Sequence, residues 1–295
     1  MSTEESRWSF HAYGRTSARE LYLVMHLPGR VSFPSYLILF LSATVMTTIA
    51  SQVILHPTAS QSLNLLATTI GRDKLYRALQ YFARFWAWAL IAKGYNSEAE
   101  RWNALKSHLA TGRKLLRLGK PLEHLQAALR AASSFTRPGE QITTILRQLC
   151  YAGYLIYDAA VWANAAKFVT LSKEANQKAV RRSNRLWFFG IVFSICHGLL
   201  KAGRLANEAK GLRGYTWGDK SVSTEAERAV KYTAVEKERK VMRSQFVIDL
   251  LDVWIPATNL GYVNLNDGVL GLFGFITSVM ALRTQWAAAA NKVKA

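Results

Sequence analysis

The sequence predicts an all-α membrane protein, with amphipathic helices at a membrane interface, about two membrane-embedded helices and a third candidate near the N-terminus. Three observations carry this reading. Long uncharged runs interrupt an otherwise basic chain. Elsewhere, apolar residues recur at spacings of three and four, the period of a helix. No series of short alternating segments joined by turn residues is present, so strands are not expected.

Composition narrows the function classes. There are 38 Lys and Arg against 19 Asp and Glu, giving a formal charge of +19, while half of the residues are hydrophobic. Such a chain can bury enough surface to fold. Cys150 and Cys196 are the only cysteines, too few for a disulfide scaffold or a cysteine-based zinc module. The excess positive charge calls for a polyanionic counter-surface, either nucleic acid or an anionic membrane face. A nucleic-acid binder would explain the charge but not the uncharged runs.

The first element is the run Val31–Gly71, which contains no Asp, Glu, Lys or Arg. Phe33–Leu55 within it has the roughly 20 residues needed to cross a bilayer core. Its serines and threonines dilute it, and it starts too late for a secretory signal. A helix then opens at Gly71-Arg-Asp-Lys74 and runs to about Ala92. Leu75, Leu79, Phe82, Trp86 and Leu90 form one face of it, with Lys74, Arg77 and Arg84 on another stripe.

The segment Arg101–Ala132 repeats the pattern more strongly. Leu115, Leu118, Leu122, Leu125 and Leu129 recur at 3, 4, 3 and 4. Lys106, Arg113, Arg117 and Lys120 recur at 7, 4 and 3 and share another face. A basic face beside a leucine face is the pattern of a helix lying in a membrane interface. It is equally the pattern of a surface helix that packs its leucines on a core. Pro121 removes an internal hydrogen bond and predicts a kink or break near Lys120.

Cys150–Ala166 is apolar with Tyr151, Tyr154, Tyr157 and Trp162, and reads as a buried or interface-lying helix. Leu186–Leu200 is uncharged between Arg185 and Lys201, whose long stems can reach the interface. Ser221–Gln245 is charge-rich and reads as a solvated helix. The last element, Gly268–Leu282, carries Gly268, Gly271 and Gly274 at intervals of three. Each glycine costs a helix in water about 1 kcal/mol, whereas small residues let membrane helices approach closely. The two anchors are therefore expected around Leu186–Leu200 and Gly268–Leu282. Positive-inside bias puts the basic stretch Lys167–Arg185 in the cytosol, with Lys201–Arg243 on the other side.

Nothing argues for catalysis, a cofactor or a bound metal. Gly112 to Gly119-Lys120 lacks the glycine spacing of a phosphate loop, and the six histidines show no ligand spacing on one helix face. Asp158, Asp249, Asp252 and Asp267 sit in or beside apolar surroundings. They are functional candidates by default, and pairing with Arg147, Arg243, Arg283 or a helix end is the alternative.

Several blocks together resemble one family. They are His56-Pro-Thr, Leu65–Arg77, Gln80–Phe85, Gly112–Lys120 with Glu123-His-Leu125, Arg147–Tyr154, and Asp249-Leu-Leu-Asp252 with Ile255-Pro256, Leu260-Gly261, Asp267-Gly268 and Gly271. They are similar to the peroxin-eleven family of peroxisomal membrane biogenesis factors, in particular its fungal members. The resemblance covers about His56 to Trp286. It implies a peroxisomal membrane protein that promotes membrane elongation, peroxisome division and proliferation. It also implies self-association, a link to dynamin-type fission machinery, and a membrane-inserting amphipathic helix that by matching motif is Arg101–Ala132. Its lipid-binding residues are then Lys106, Arg113, Arg117 and Lys120 with Leu115, Leu118, Leu122 and Leu125, and the partner is an anionic phospholipid membrane rather than nucleic acid. A pore for small metabolites, lined by Asp158 or Asp267, is the alternative.

The expected organisation is an unmatched extension at 1–55, a basic amphipathic region at 56–147, apolar helices with the first anchor at 148–200, a charged segment at 201–247 and a C-terminal membrane region at 248–295. The part Met1–Val45 is expected to be dispensable.

Overall fold

The computed structural model describes residues 51–291 apart from 53, 135–136 and 214–221. The extension Met1–Val45 and most of the candidate segment Phe33–Leu55 lie outside the described residues. The chain divides into two units, Met1–Ala59 and Ser60–Ala295. In the described part of the first, His56 Nδ1 accepts a hydrogen bond from the Thr58 backbone at 3.2 Å.

The described residues form nine helices and no strand: α1 (Pro57–Ala67), α2 (Thr69–Ala92), α3 (Asn96–Leu115), α4 (Lys120–Ala132), α5 (Pro138–Ala165), α6 (Lys173–Arg213), α7 (Val222–Asp252), α8 (Trp254–Leu260) and α9 (Asp267–Asn291). Local chemistry sets several ends. Thr68 caps α2, its hydroxyl accepting from the Gly71 N–H at 3.0 Å. Ser172 and Asn266 accept in the same way from Ala175 and Val269 at the starts of α6 and α9. Gly261 closes α8 at φ 80°, a left-handed conformation that glycine adopts without strain. Pro121 sits in the first turn of α4, where its missing N–H costs nothing. The stretch Arg101–Ala132 is accordingly two helices, α3 and α4, joined by a turn at residues 116–119.

Helices α5 and α6 pack antiparallel, bringing Gly153 against Leu186 and Gly139 against Leu200. Helix α7 returns along α6, with Phe246 over Gly198 and Glu238 paired to Lys201 at 3.2 Å. Helix α3 packs on α2 and α4 on α5. Helices α6 and α9 are each long and apolar enough to cross a membrane, and they contain the two predicted anchors. At 1.5 Å per residue, the 41 residues of α6 extend about 60 Å, roughly twice a bilayer core.

The glycine triplet has a definite partner. Gly274, Gly271 and Gly268 of α9 lie in turn against Tyr81, Phe85 and Trp88 of α2, an aromatic ridge spaced by four and three. A Cβ on Gly271 would come within 2.6 Å of the Phe85 backbone nitrogen, and one on Gly268 within 2.5 Å of the Trp88 ring. Backbones this close require glycine. The charged helix α2 therefore lies lengthwise on a candidate span.

The interior mixes small apolar residues with an unusual number of charged ones. One apolar cluster, Tyr81, Ile255 and Leu270 with Trp187, Leu265 and Phe275 against it, sits beside a buried set of Asp73, Arg77, Arg113, Asp158, Asp249, Asp252 and Thr277. Large apolar side chains meanwhile cover the outside of α2, α4, α5 and α9. With hydrocarbon as solvent, apolar surface gains nothing by hiding, whereas charges must find partners. An all-α helical membrane protein built this way keeps its ion pairs inside.

Candidate membrane-binding site

Helix α4 is the simplest case. Leu122 is 68 % exposed and Leu129 is 69 % exposed, and Leu118 and Leu125 complete the row. Leu115, at the end of α3, is exposed as well. Helix α5, against which α4 packs, adds Ile142, Leu146, Leu149 and Ile156, also exposed. A continuous apolar face of this kind marks a membrane or partner surface. The opposite side of α4 packs on α5, with Ala128 buried and the His124 ring against Tyr151. His124 Nδ1 meets Gln148 Oε1 at 2.6 Å, and Gln141 Nε2 donates to the Ala131 and Ala132 carbonyls at 3.1 and 3.0 Å.

The four expected lipid-binding cations turn toward carboxylates of the same chain. Arg113, only 7 % exposed, donates from Nε to Asp73 at 3.1 Å and from Nη1 to Gln80 at 2.7 Å. Arg117 donates to the Tyr154 hydroxyl and to Asp158, both at 2.9 Å. Lys106 reaches Asp267 at 3.6 Å, and Lys120 lies 4.0 Å from Glu123. Sequence reasoning found these cations from their shared face but missed what that face meets, Asp73 and Tyr154, and that Lys114 joins Arg117 at Asp158. Asp73 stood in the motif Gly71-Arg-Asp-Lys74, and only the packing of α3 on α2 shows its use.

The acidic residues are paired, by partners other than the arginines named from the sequence. Asp158 holds Arg117 and Lys114, each at 2.9 Å. Both Asp252 oxygens accept from Arg77 at 2.7 Å, and Thr277 of α9 donates to the same carboxylate at 2.7 Å. Asp267 holds Arg84 at 2.7 Å and opens α9, where a negative charge favours the helix dipole. Asp249 accepts from Ser194 at 2.6 Å and Gln245 at 2.8 Å. Asp158 and Asp267, the residues that a pore would line, are both engaged in ion pairs. Among the described residues no group of three His, Cys, Asp or Glu could hold a metal ion.

A cleft of about 520 Å³ opens among α2, α3, α4, α5, α6 and α8 behind the leucine surface. Seven cationic side chains line it against three carboxylates, Asp73, Asp158 and Asp252. The electrostatics follow from this imbalance. Burial would raise the Asp73 carboxyl, but Arg113, Lys74 and Arg117 hold it below its ordinary value. Burial pushes the Lys74 ammonium down to about 8, helped by Arg77 and opposed by Asp73. Burial also keeps the Tyr154 hydroxyl protonated well above the usual phenol range, against the pull of Arg117.

The comparisons with known proteins agree with the resemblance read from the motifs. The model of the family "Peroxisomal biogenesis factor 11 (PEX11)" matches residues 59–286. Peroxisomal membrane protein PMP27 of Saccharomyces cerevisiae is 28% identical over 250 residues, covering 81% of this chain and 99% of that protein. Peroxisomal biogenesis factor 11 of Schizosaccharomyces pombe is 25% identical over 240 residues, covering 78% and 96%. Peroxisomal membrane protein 11A of Rattus norvegicus is 28% identical over 244 residues, covering 72% and 91%. No solved structure matches this chain. With the family model matching over three quarters of its length, the chain belongs to the peroxisomal biogenesis factor 11 family.

Proposed function

We propose that this protein of the peroxisomal membrane elongates that membrane and promotes peroxisome division by wedging the leucine row of α4 into one leaflet. The family and the names of its fungal and mammalian relatives support the place and the process. The observation that carries the mechanism is the outward leucine row on α4, with the basic groups of α3 and the α3–α4 turn paired behind it. Burying a leucine contributes about 1.5–3 kcal/mol, so a row of four gives a wedge several times thermal energy per protein. A wedge at headgroup depth expands one leaflet and favours curvature.

Helices α6 and α9 anchor the protein, and α3 and α4 act at the surface. The role is structural rather than catalytic. Self-association multiplies the strain along a tubule, and dynamin-type machinery then cuts it. Lys106 and Lys120, the least enclosed of the four expected cations by their longer pairing distances, add attraction to anionic lipid. A metabolite pore is the weaker reading, because its acidic candidates are engaged with cations of the same chain.

The test is a Leu122→Glu/Leu129→Glu double variant expressed in cells that lack their own copy. The protein should still resist carbonate extraction while peroxisomes stay few and enlarged. Normal peroxisome number with this variant would contradict the mechanism.

A further inference from the structure

We propose that the cleft among α2, α3, α4, α5, α6 and α8 is a binding site for a multiply charged phosphate group. Its volume, about 520 Å³, is that of a small-molecule site rather than a groove for a polymer. Its carboxylates are fewer than its cations, and they are already committed. Asp252 is held by Arg77, Asp73 by Arg113, and Asp158 by Lys114 and Arg117. These pairs fix the guanidinium groups in place, and a fixed guanidinium is the best donor to a phosphate oxygen.

Lys74 and Lys120 are left as the weakly paired cations of the cleft. Lys74 stands 3.8 Å from an Asp73 oxygen, while Arg113 already holds that carboxylate at 3.1 Å. Lys120 is 4.0 Å from Glu123, a side chain directed mostly to solvent. Burial is the main cause of the low Lys74 ammonium pKa; Arg77, Arg113 and Lys120 lower it further, with Asp73 alone opposing. A dianionic phosphate between Lys74 and Lys120 supplies the missing negative charge. A single carboxylate ligand would supply half as much. This proposal rests on the cleft alone and is independent of the leucine wedge.

Two sources carry such a group: a soluble phosphate compound and a phosphorylated lipid headgroup. The experiment uses the full chain in neutral phosphatidylcholine nanodiscs, titrated calorimetrically. One arm adds inorganic pyrophosphate. The other adds water-soluble dibutanoyl phosphatidylinositol 4-phosphate, with dibutanoyl phosphatidylserine as the carboxylate-bearing control. Saturable binding in either arm is expected, and the stronger arm identifies the source. Loss of one charge-assisted contact should weaken it about tenfold in Lys74→Met and in Lys120→Met, and Lys74→Arg should restore it. Thermal melting of each variant shows whether it is folded. No saturable binding in either arm, or binding that both folded Lys→Met variants leave unchanged, overturns the assignment.

Discussion

Helices α4 and α9 both present apolar surface outward, yet different chemistry holds each to its neighbour. Helix α9 is locked along its length, its three glycines seated on the aromatic ridge of α2 and its Thr277 bonded to buried Asp252. Helix α4 packs along α5 through His124, which meets Gln148 and the Tyr151 ring, through Gln141 at its C-terminal end and through buried Ala128, while its leucines face outward. Helix α9 joins a length that can cross a membrane to a seat of glycines on an aromatic ridge; α4 joins a short helix to an apolar outer row.

The locked side breaks most severely at its buried ion pair. Arg77→Met leaves Asp252 charged and unpaired beside Thr277, which should cost about 3–5 kcal/mol. Adding Asp252→Leu should recover most of the loss, because a well-packed apolar pair replaces the ions. Thermal unfolding in detergent reads both. A pair that mattered little would show the same melting temperature for the single variant and the parent.

Next in size is the glycine slot. Gly271→Ala places a methyl against the Phe85 backbone, and overpacking of this kind costs about 1–3 kcal/mol. Gly112→Ala, with nothing near its Cβ, is the matched control on the surface helix and should leave the melting temperature unchanged or slightly raised. Equal effects at the two positions would remove the contrast between the regions.

Much of this was legible in the sequence. The uncharged runs gave away both candidate spans, since a charge in a lipid-facing span is costly wherever it falls. Pro121 marked the break between α3 and α4 because ring geometry acts locally. The glycine triplet announced close approach, but its partner lies some 190 residues earlier, and no local pattern names it. The direction of the amphipathic faces was also hidden. Leu122 and Arg117 lie on separate faces whether the leucines seek a protein core or a lipid bath; only the surrounding solvent decides which face turns inward. The pairs Arg77–Asp252 and Arg84–Asp267, 175 and 183 residues apart, follow from that decision and not from spacing.

The remaining effect is in pH. Lys74 faces Asp73 and Arg77 on its own helix, Arg113 on α3 and Lys120 on α4. Its ammonium falls from an ordinary 10.5 to about 8 in the folded protein, so between these values the unfolded chain binds more protons. Stability should therefore rise with pH from about 8 toward 10, by at most about 1.4 kcal/mol per unit. Lys74→Met should flatten that rise when the two proteins are melted side by side. Identical slopes would mean that Lys74 is not desolvated in the cleft.

The central claim is that α4 turns its leucines to lipid. Spin labels placed singly at positions 122, 125 and 129 of the full chain in liposomes test it through collision with oxygen, which concentrates in hydrocarbon, and with a water-soluble nickel complex. The account predicts high oxygen and low nickel accessibility at all three, with the reverse at exposed Glu123 and Arg130. High nickel accessibility along the leucine row would contradict it.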